Sequence, residues 1–139
     1  MKPIAVNRKA YHEYEILNKY EAGIVLTGME IKSIREGRVN LAGGFCRIQN
    51  DAPYILNMHI AKAKEPERSR KLLMHKSEIQ SLYGKTQQKG LTLIPLSLYI
   101  KRGKAKLEIG LGRGKILHDK RDQIRKRDLD RQAERDIKD

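Results

Sequence analysis

Leu91-Thr92-Leu93-Ile94-Pro95-Leu96-Ser97-Leu98-Tyr99-Ile100-Lys101-Arg102-Gly103-Lys104-Ala105-Lys106-Leu107-Glu108-Ile109-Gly110-Leu111 is the stretch that decides the fold. Apolar and polar residues alternate at period two on both sides of Arg102-Gly103, the pattern of a half-buried antiparallel hairpin. With Arg102-Gly103 as a two-residue loop, Ile100 faces Ala105, Leu98 faces Leu107 and Leu96 faces Ile109 on the buried side. Leu91 and Leu93 share one face, Pro95 interrupts, and Leu96, Leu98 and Ile100 resume one step out of phase, which predicts a bulge or bend at Pro95. The same register sets Lys101 opposite Lys104 and Tyr99 opposite Lys106 on the outer side. Like charges directly opposed destabilise a sheet. A nucleic-acid-facing sheet tolerates them, because phosphates relieve the repulsion and an aromatic ring can stack on a base or sugar. The competing reading is a soluble outer strand whose lysines guard against edge pairing.

Outward from the hairpin, most of the patterning again has period two. Tyr14 and Ile16 alternate with Glu13 and Glu15, Ile24 and Leu26 follow Gly23, and Phe45–Gln49 and Tyr54–Ile60 are strands around the turn signal Asn50-Asp51-Ala52-Pro53. Two short helices punctuate them. Thr27-Gly28-Met29-Glu30 has capping-box spacing and Gly37 is a suitable stop, with Ile31 and Ile34 inward and Lys32 and Arg35 outward. The second runs from about Ser77 to Tyr83, buries Ile79, Leu82 and Tyr83, and ends at Gly84. Many strands joined by helices in about 100 residues predict a mainly β fold, a small antiparallel barrel of the oligonucleotide-binding type with peripheral α-helices. A β-sandwich satisfies the same alternation.

Thirty Lys and Arg against seventeen Asp and Glu leave a formal charge of +13 on 139 residues. A polyanion is the natural partner for such an excess, because each neutralised phosphate releases counterions. No run of about 20 apolar residues exists, and Met1–Ala10 lacks the apolar core of a signal peptide. A protein without membrane contact, in the cytoplasm and monomeric, is therefore expected. Cys46 is the single cysteine and the four histidines are scattered, so neither a disulfide, a metal nor another cofactor is expected. Gly110–Lys115 resembles a phosphate-binding loop, but Ile109 stands where its first glycine belongs and Ile116 where Ser or Thr belongs. His12-Glu13 has the composition of an acid–base pair without a matching constellation, so no catalytic site is inferred.

The chain divides unevenly. Residues 1–10 read as a flexible basic segment, 11–115 as the barrel, and 116–139 as a charged tail, with Gly110-Leu111-Gly112-Arg113-Gly114 softening the junction. From His118 onward the apolar residues are Ile124, Leu129, Ala133 and Ile137, too few for a core. Asp122 with Lys126, Asp128 with Arg131 and Glu134 with Lys138 have helical spacing. Such a segment is marginal alone and is expected to become helical when RNA neutralises Lys120, Arg121, Arg125, Lys126 and Arg127.

Asn7-Arg8-Lys9-Ala10 with His12-Glu13-Tyr14, Tyr20-Glu21-Ala22-Gly23-Ile24, Gly28 with Glu30, Lys32-Ser33 with Arg35, Arg70-Lys71-Leu72-Leu73, Lys89-Gly90-Leu91-Thr92, and Gly114-Lys115 with Asp119-Lys120-Arg121 together resemble the SsrA-binding protein family, also called small protein B. The blocks run in order along nearly the whole chain. The resemblance implies a barrel that binds the tRNA-like domain of transfer-messenger RNA and acts in ribosome rescue by trans-translation. Its implied partners are that RNA, the ribosome through small-subunit rRNA, and elongation factor Tu through the shared RNA. It implies RNA-interface roles for Glu21, Leu73 and Lys106, with Asn7, Lys9 and His12 as neighbours; Lys32, Arg35, Tyr99 and Lys101 join them on exposure and charge. It further implies that the tail enters the empty messenger channel, with Gly114, Lys115, Asp119, Lys120 and Arg121 positioning it, Arg125, Lys126 and Arg127 on phosphates, and Ile137 as a late apolar anchor. The loop between Ile60 and Arg70 is shorter than is usual in the family, and Gly112 replaces a frequent alanine.

Overall fold

In the computed structural model, which describes residues 3–114, the hairpin read above forms the longest ladder of the molecule. Along the chain the elements are β1 (Ala5–Val6), α1 (Arg8–Glu13), β2 (Tyr14–Ile24), α2 (Gly28–Arg35), β3 (Val39–Asn40), β4 (Phe45–Gln49), β5 (Ala52–Leu56), β6 (His59–Ile60), β7 (Arg70–Leu73), α3 (Lys76–Thr86), β8 (Leu91–Lys101) and β9 (Lys104–Gly114). The expectations for Lys115, Asp119, Lys120, Arg121, Arg125, Lys126, Arg127 and Ile137 lie outside the described residues.

All pairings are antiparallel, in the order β1-β8-β4-β5-β7-β2-β9, and β9 pairs back onto β8. That last pairing closes the sheet into a barrel and sets aside the sandwich. Closure removes the open edges a flat sheet would expose. Short β3 and β6 pair separately. The interior holds Ala22, Ile34, Leu41, Ile55, Met58, Ile60, Leu72, Leu82, Leu93, Leu98, Leu107, Ile109 and Leu111, all nearly inaccessible. Cys46 lies in the same core, where burial pushes its thiol up and keeps it protonated.

Arg102 and Gly103 both have positive φ (52° and 77°), as do Asn50 and Asp51 (53° and 64°) between β4 and β5. These two-residue turns have the twist that antiparallel hairpins favour. Ile100 pairs with Ala105, Leu98 with Leu107, Lys101 with Lys104 and Tyr99 with Lys106, as alternation predicts. The expected pairing of Leu96 with Ile109 does not form: Pro95 takes that place and the register shifts between Pro95 and Ser97. Pro95 lacks the N–H that a regular ladder needs, so the strand bulges there. A matching irregularity falls between Ile16 and Asn18 in β2.

The paired bulges split the apolar residues between two faces. Tyr14, Ile16, Ile94 and Leu96 turn away from the barrel interior and form a second cluster with buried Ala10 of α1. Gly110 and Gly112 lie beneath it. A Cβ on Gly110 would stand 2.8 Å from Leu96 Cδ1 and 3.3 Å from Ile16 Cγ2; one on Gly112 would stand 3.2 Å from Tyr14 Cβ. These glycines do not soften a junction. They sit inside β9, paired on both sides, and their missing side chains admit the second cluster.

Three further expectations change. Ala5 and Val6 pair with Leu98 and Ser97, the Ile4 N–H donates to Leu98 O and Arg8 opens α1, so residues 4–10, expected within a flexible segment, are hydrogen-bonded to the barrel. Helix α3 passes through Gly84 to Thr86, because an exposed helical glycine costs only about 1 kcal/mol and does not force a stop. Tyr83 is exposed, not buried, and Leu82 alone on α3 is fully enclosed.

The capping box of α2 does more than cap. Thr27 Oγ1 accepts from the Glu30 N–H at 3.2 Å and Glu30 Oε1 accepts from the Thr27 N–H at 2.9 Å. The same buried carboxylate accepts from Arg68 at 2.9 and 2.7 Å and from Arg70 Nε at 2.9 Å. Arg70 is wholly buried and also donates to the carbonyls of Met58, Glu65, Pro66 and Arg68. One guanidinium thus organises the short loop before β7, fastens β7 to α2, and leaves Leu73 at the end of β7 standing outward.

Candidate RNA interface

Outside the barrel, β8, β9 and β2 share one continuous face, half covered by α1 and half open. Strand register arranges the open half into rungs. Val6 pairs with Ser97, Ser97 with Glu108, and Glu108 with Glu21. The next rung runs from Tyr99 through Lys106 and Gly23 to Leu73. Rungs two residues apart are separated by about 6.7 Å and neighbouring strands by about 4.8 Å, so these side chains form one patch. Glu21, Leu73, Tyr99 and Lys106 are therefore brought together from four strands, with Lys101 one rung further on β8.

Within the patch, the Tyr99 hydroxyl donates to Glu21 through a short bond, and Lys101 Nζ stands 3.5 Å from the same carboxylate. The Tyr99 bond, assisted by Lys101 and Lys106, holds the Glu21 carboxyl below its ordinary range although desolvation opposes it. Burial and the bond to Glu21 push the Tyr99 hydroxyl up. At neutral pH the pair is therefore an ionised acceptor and a protonated donor, not a shared anion. Gly23 leaves a notch beside Leu73, where an added Cβ would stand 3.4 Å from the Leu73 Cβ. The resulting recess of about 320 Å³ is lined by Glu21, Gly23, Leu73, Met74, His75, Glu78 and Lys106. More than half of Leu73 is exposed, which leaves apolar surface for packing against a sugar or base.

Helix α1 bounds the patch. Asn7, expected as a neighbour of the RNA surface, is buried: its Oδ1 caps α1 by accepting from the Ala10 N–H at 3.2 Å, and its amide donates to Pro95 O at 2.9 Å. Asn7 thus anchors α1 to the β8 bulge. His12 is exposed on α1. Lys9 is also exposed, lies 3.9 Å from Glu13, and borders a separate recess of about 250 Å³ with Tyr14, Phe45 and Ile94. Tyr11 does reach the patch, with the Lys19 ammonium 5.5 Å from its ring centre. Lys32 and Arg35 are exposed on α2, and Arg35 Nη2 donates to Gly103 O at 3.4 Å, which places that helix beside the basic hairpin tip. Gly114 ends β9 opposite Tyr14.

Sequence reasoning did not single out Val6, Tyr11, Ser97 or Glu108 for this face. Alternation carried the signal for Glu108, two residues from outward Lys106; Val6 and Tyr11 gave none, because only the β1–β8 pairing and the course of α1 bring them there. Among the described residues no group of three or more metal-binding side chains gathers, and no helix is long and apolar enough to cross a membrane.

Comparison with known proteins supports a single family. A family model described as SmpB protein matches residues 4–139. The SsrA-binding protein of Carboxydothermus hydrogenoformans is 55% identical over 144 residues, spanning 99% of this chain and 97% of that protein. The SsrA-binding protein of Acaryochloris marina is 52% identical over 145 residues, spanning 99% and 94%. A solved chain from work described as "tmRNA-SmpB: a journey to the center of the bacterial ribosome" superposes with a TM-score of 0.70 at 48% identity, covering 82% of this chain and 85% of that one. Matched from residue 4 to residue 139 and sharing about half its residues with these relatives, the chain belongs to the SmpB protein family.

Proposed function

We propose that this protein is an RNA-binding adaptor for ribosome rescue by trans-translation, gripping the tRNA-like domain of transfer-messenger RNA with the open face of its barrel. The observation that carries this reading is the patch in which strand register unites Lys106, Tyr99, Glu21 and Leu73. Lysine neutralises phosphate, the aromatic offers a stacking surface and the exposed leucine an apolar contact, and the carboxylate accepts from base amino groups or a 2′-hydroxyl. The names of the relatives, SsrA-binding protein, and the tmRNA-SmpB neighbour in a ribosomal setting support the same RNA and the ribosome as partners.

The protein acts by binding, in the cytoplasm, and no step of chemistry is assigned to it. Elongation factor Tu joins through the RNA that both hold. Residues 116–139 enter the empty messenger channel and meet small-subunit rRNA, where Lys120, Arg121, Arg125, Lys126 and Arg127 pair with phosphates. Barrel and tail then serve different RNAs. Deletion after Leu117 tests the division: transfer-messenger RNA affinity stays near that of the full chain while tagging of stalled peptides is lost. Collapse of RNA affinity in the truncated protein, with the isolated tail binding as well as the whole, overturns the two-part reading.

A further inference from the structure

The rung Val6–Ser97–Glu108–Glu21 sets two carboxylates side by side on the outward face of a chain carrying +13. Directly opposed like charges cost stability, and both repel phosphate. Glu21 is compensated by Tyr99 and Lys101. Glu108 is not: its contact is the Ser97 hydroxyl at 3.4 Å, and among the described residues it enters no ion pair. It borders a groove of about 450 Å³ whose walls include Pro3, Val6, Tyr11 and Tyr99. Two aromatic rings, an apolar floor and an uncompensated acceptor therefore meet in one cleft beside lysines suited to the backbone.

A carboxylate only accepts, so it selects a partner edge made of donors. The Watson–Crick edge of guanine offers N1–H and an N2 amino hydrogen side by side, matched to two carboxylate oxygens. Adenine and cytosine each place a ring acceptor next to the amino group, and uracil flanks its single N–H with two carbonyls. We propose that this groove is a base-reading pocket for an unpaired guanine, stacked against Tyr11 or Tyr99 and held at its Watson–Crick edge by Glu108. The inference rests on the RNA-adaptor reading for which RNA occupies the face, and adds which base enters it and through which residue.

Glu108→Gln in the full chain tests it, because Gln keeps the shape and removes half of the acceptor edge. Binding to the tRNA-like domain of transfer-messenger RNA, measured across a salt series, should weaken about tenfold with the salt slope unchanged, since a base contact and no phosphate contact is lost. General electrostatics requires the opposite, because neutralising a carboxylate on an RNA-facing surface tightens binding. A second measurement needs no variant: guanosine, inosine, adenosine, cytidine and uridine 5′-monophosphates, all sharing one phosphate, are titrated into the wild-type protein and followed by amide NMR. Guanosine monophosphate should shift Ser97, Tyr99 and Glu108, with inosine monophosphate, which lacks the N2 amino group, about fivefold weaker. Unchanged or tighter RNA binding by E108Q, or equal shifts from adenosine and guanosine monophosphates, overturns the pocket while leaving the adaptor reading intact. Absence of selective binding to the tRNA-like domain by the wild-type chain overturns the adaptor reading instead.

Discussion

Replacing Glu30 by Gln strikes the connection that holds β7 in place, and its cost follows from the structure by two routes. Burial alone would raise the Glu30 carboxyl, but the bonds from Arg68, the Thr27 N–H and Arg70 outweigh it and hold the group at about 2, against an ordinary 4.5. That difference corresponds to about 3 kcal/mol of folding stability at neutral pH. Independently, breaking a buried ion pair by removing one partner costs about 3–5 kcal/mol, since Arg70 is left enclosed without its counter-charge. E30Q should therefore lose about 3 kcal/mol in urea unfolding at pH 7, a large part of the 5–15 kcal/mol typical of a domain. The sign of the pH dependence is set by the depressed folded-state value. Glu30's contribution is fully present above 4.5 and is lost as pH falls toward 2, so wild-type and E30Q stabilities converge in acid. Arg70→Met added to E30Q should not restore the loss, because it removes the stranded cation but also the donors that satisfy the carbonyls of Met58, Glu65, Pro66 and Arg68. A wild-type advantage below about 1 kcal/mol at pH 7, or one equally large near pH 2, would refute the argument.

Two glycines give opposite outcomes. Gly110→Ala drives a Cβ to 2.8 Å from Leu96 Cδ1 and should destabilise by about 1–3 kcal/mol, whereas Gly84→Ala in exposed helix α3, with nothing within 4 Å, should stabilise by up to about 1 kcal/mol. A Gly110→Ala midpoint that does not fall, or a Gly84→Ala midpoint that does, would contradict the corresponding assignment. Lys106→Ala should weaken binding to the tRNA-like RNA and reduce the slope of log affinity against log salt by about one contact. An unchanged slope would place Lys106 off the phosphate backbone.

The hairpin was legible because alternation over Leu91–Leu111 is nearly unbroken and its loop has room for only one register, and the capping box of α2 because its chemistry is local. The bulges were legible only in part. Pro95 announced an irregularity, but a one-residue slip sends Leu96 to another face, and which face receives it depends on α1, distant in sequence. Gly110 and Gly112 misled for the same reason: glycine signals a loose turn or a close approach alike, and only the neighbouring strands decide between them. Among the site residues, Lys106 and Tyr99 followed from register alone, and Glu21 and Leu73 from family motifs. Asn7, placed by its motif only as a neighbour of that surface, turns inward, because its side chain satisfies a helix start and a strand carbonyl that no local pattern reveals.

Because β9 is hydrogen-bonded to β2 on one edge and to β8 on the other up to its final residues, it leaves the barrel with both edges still held. The chain continues covalently from this doubly bound strand. A tension directed along its axis loads the two ladders in shear, with many hydrogen bonds bearing the force at once, instead of peeling them one by one. The second cluster adds friction to that sliding, since Leu96 and Tyr14 sit against Gly110 and Gly112 like pins in slots. The barrel is thus a mechanical anchor for whatever its last strand is made to pull.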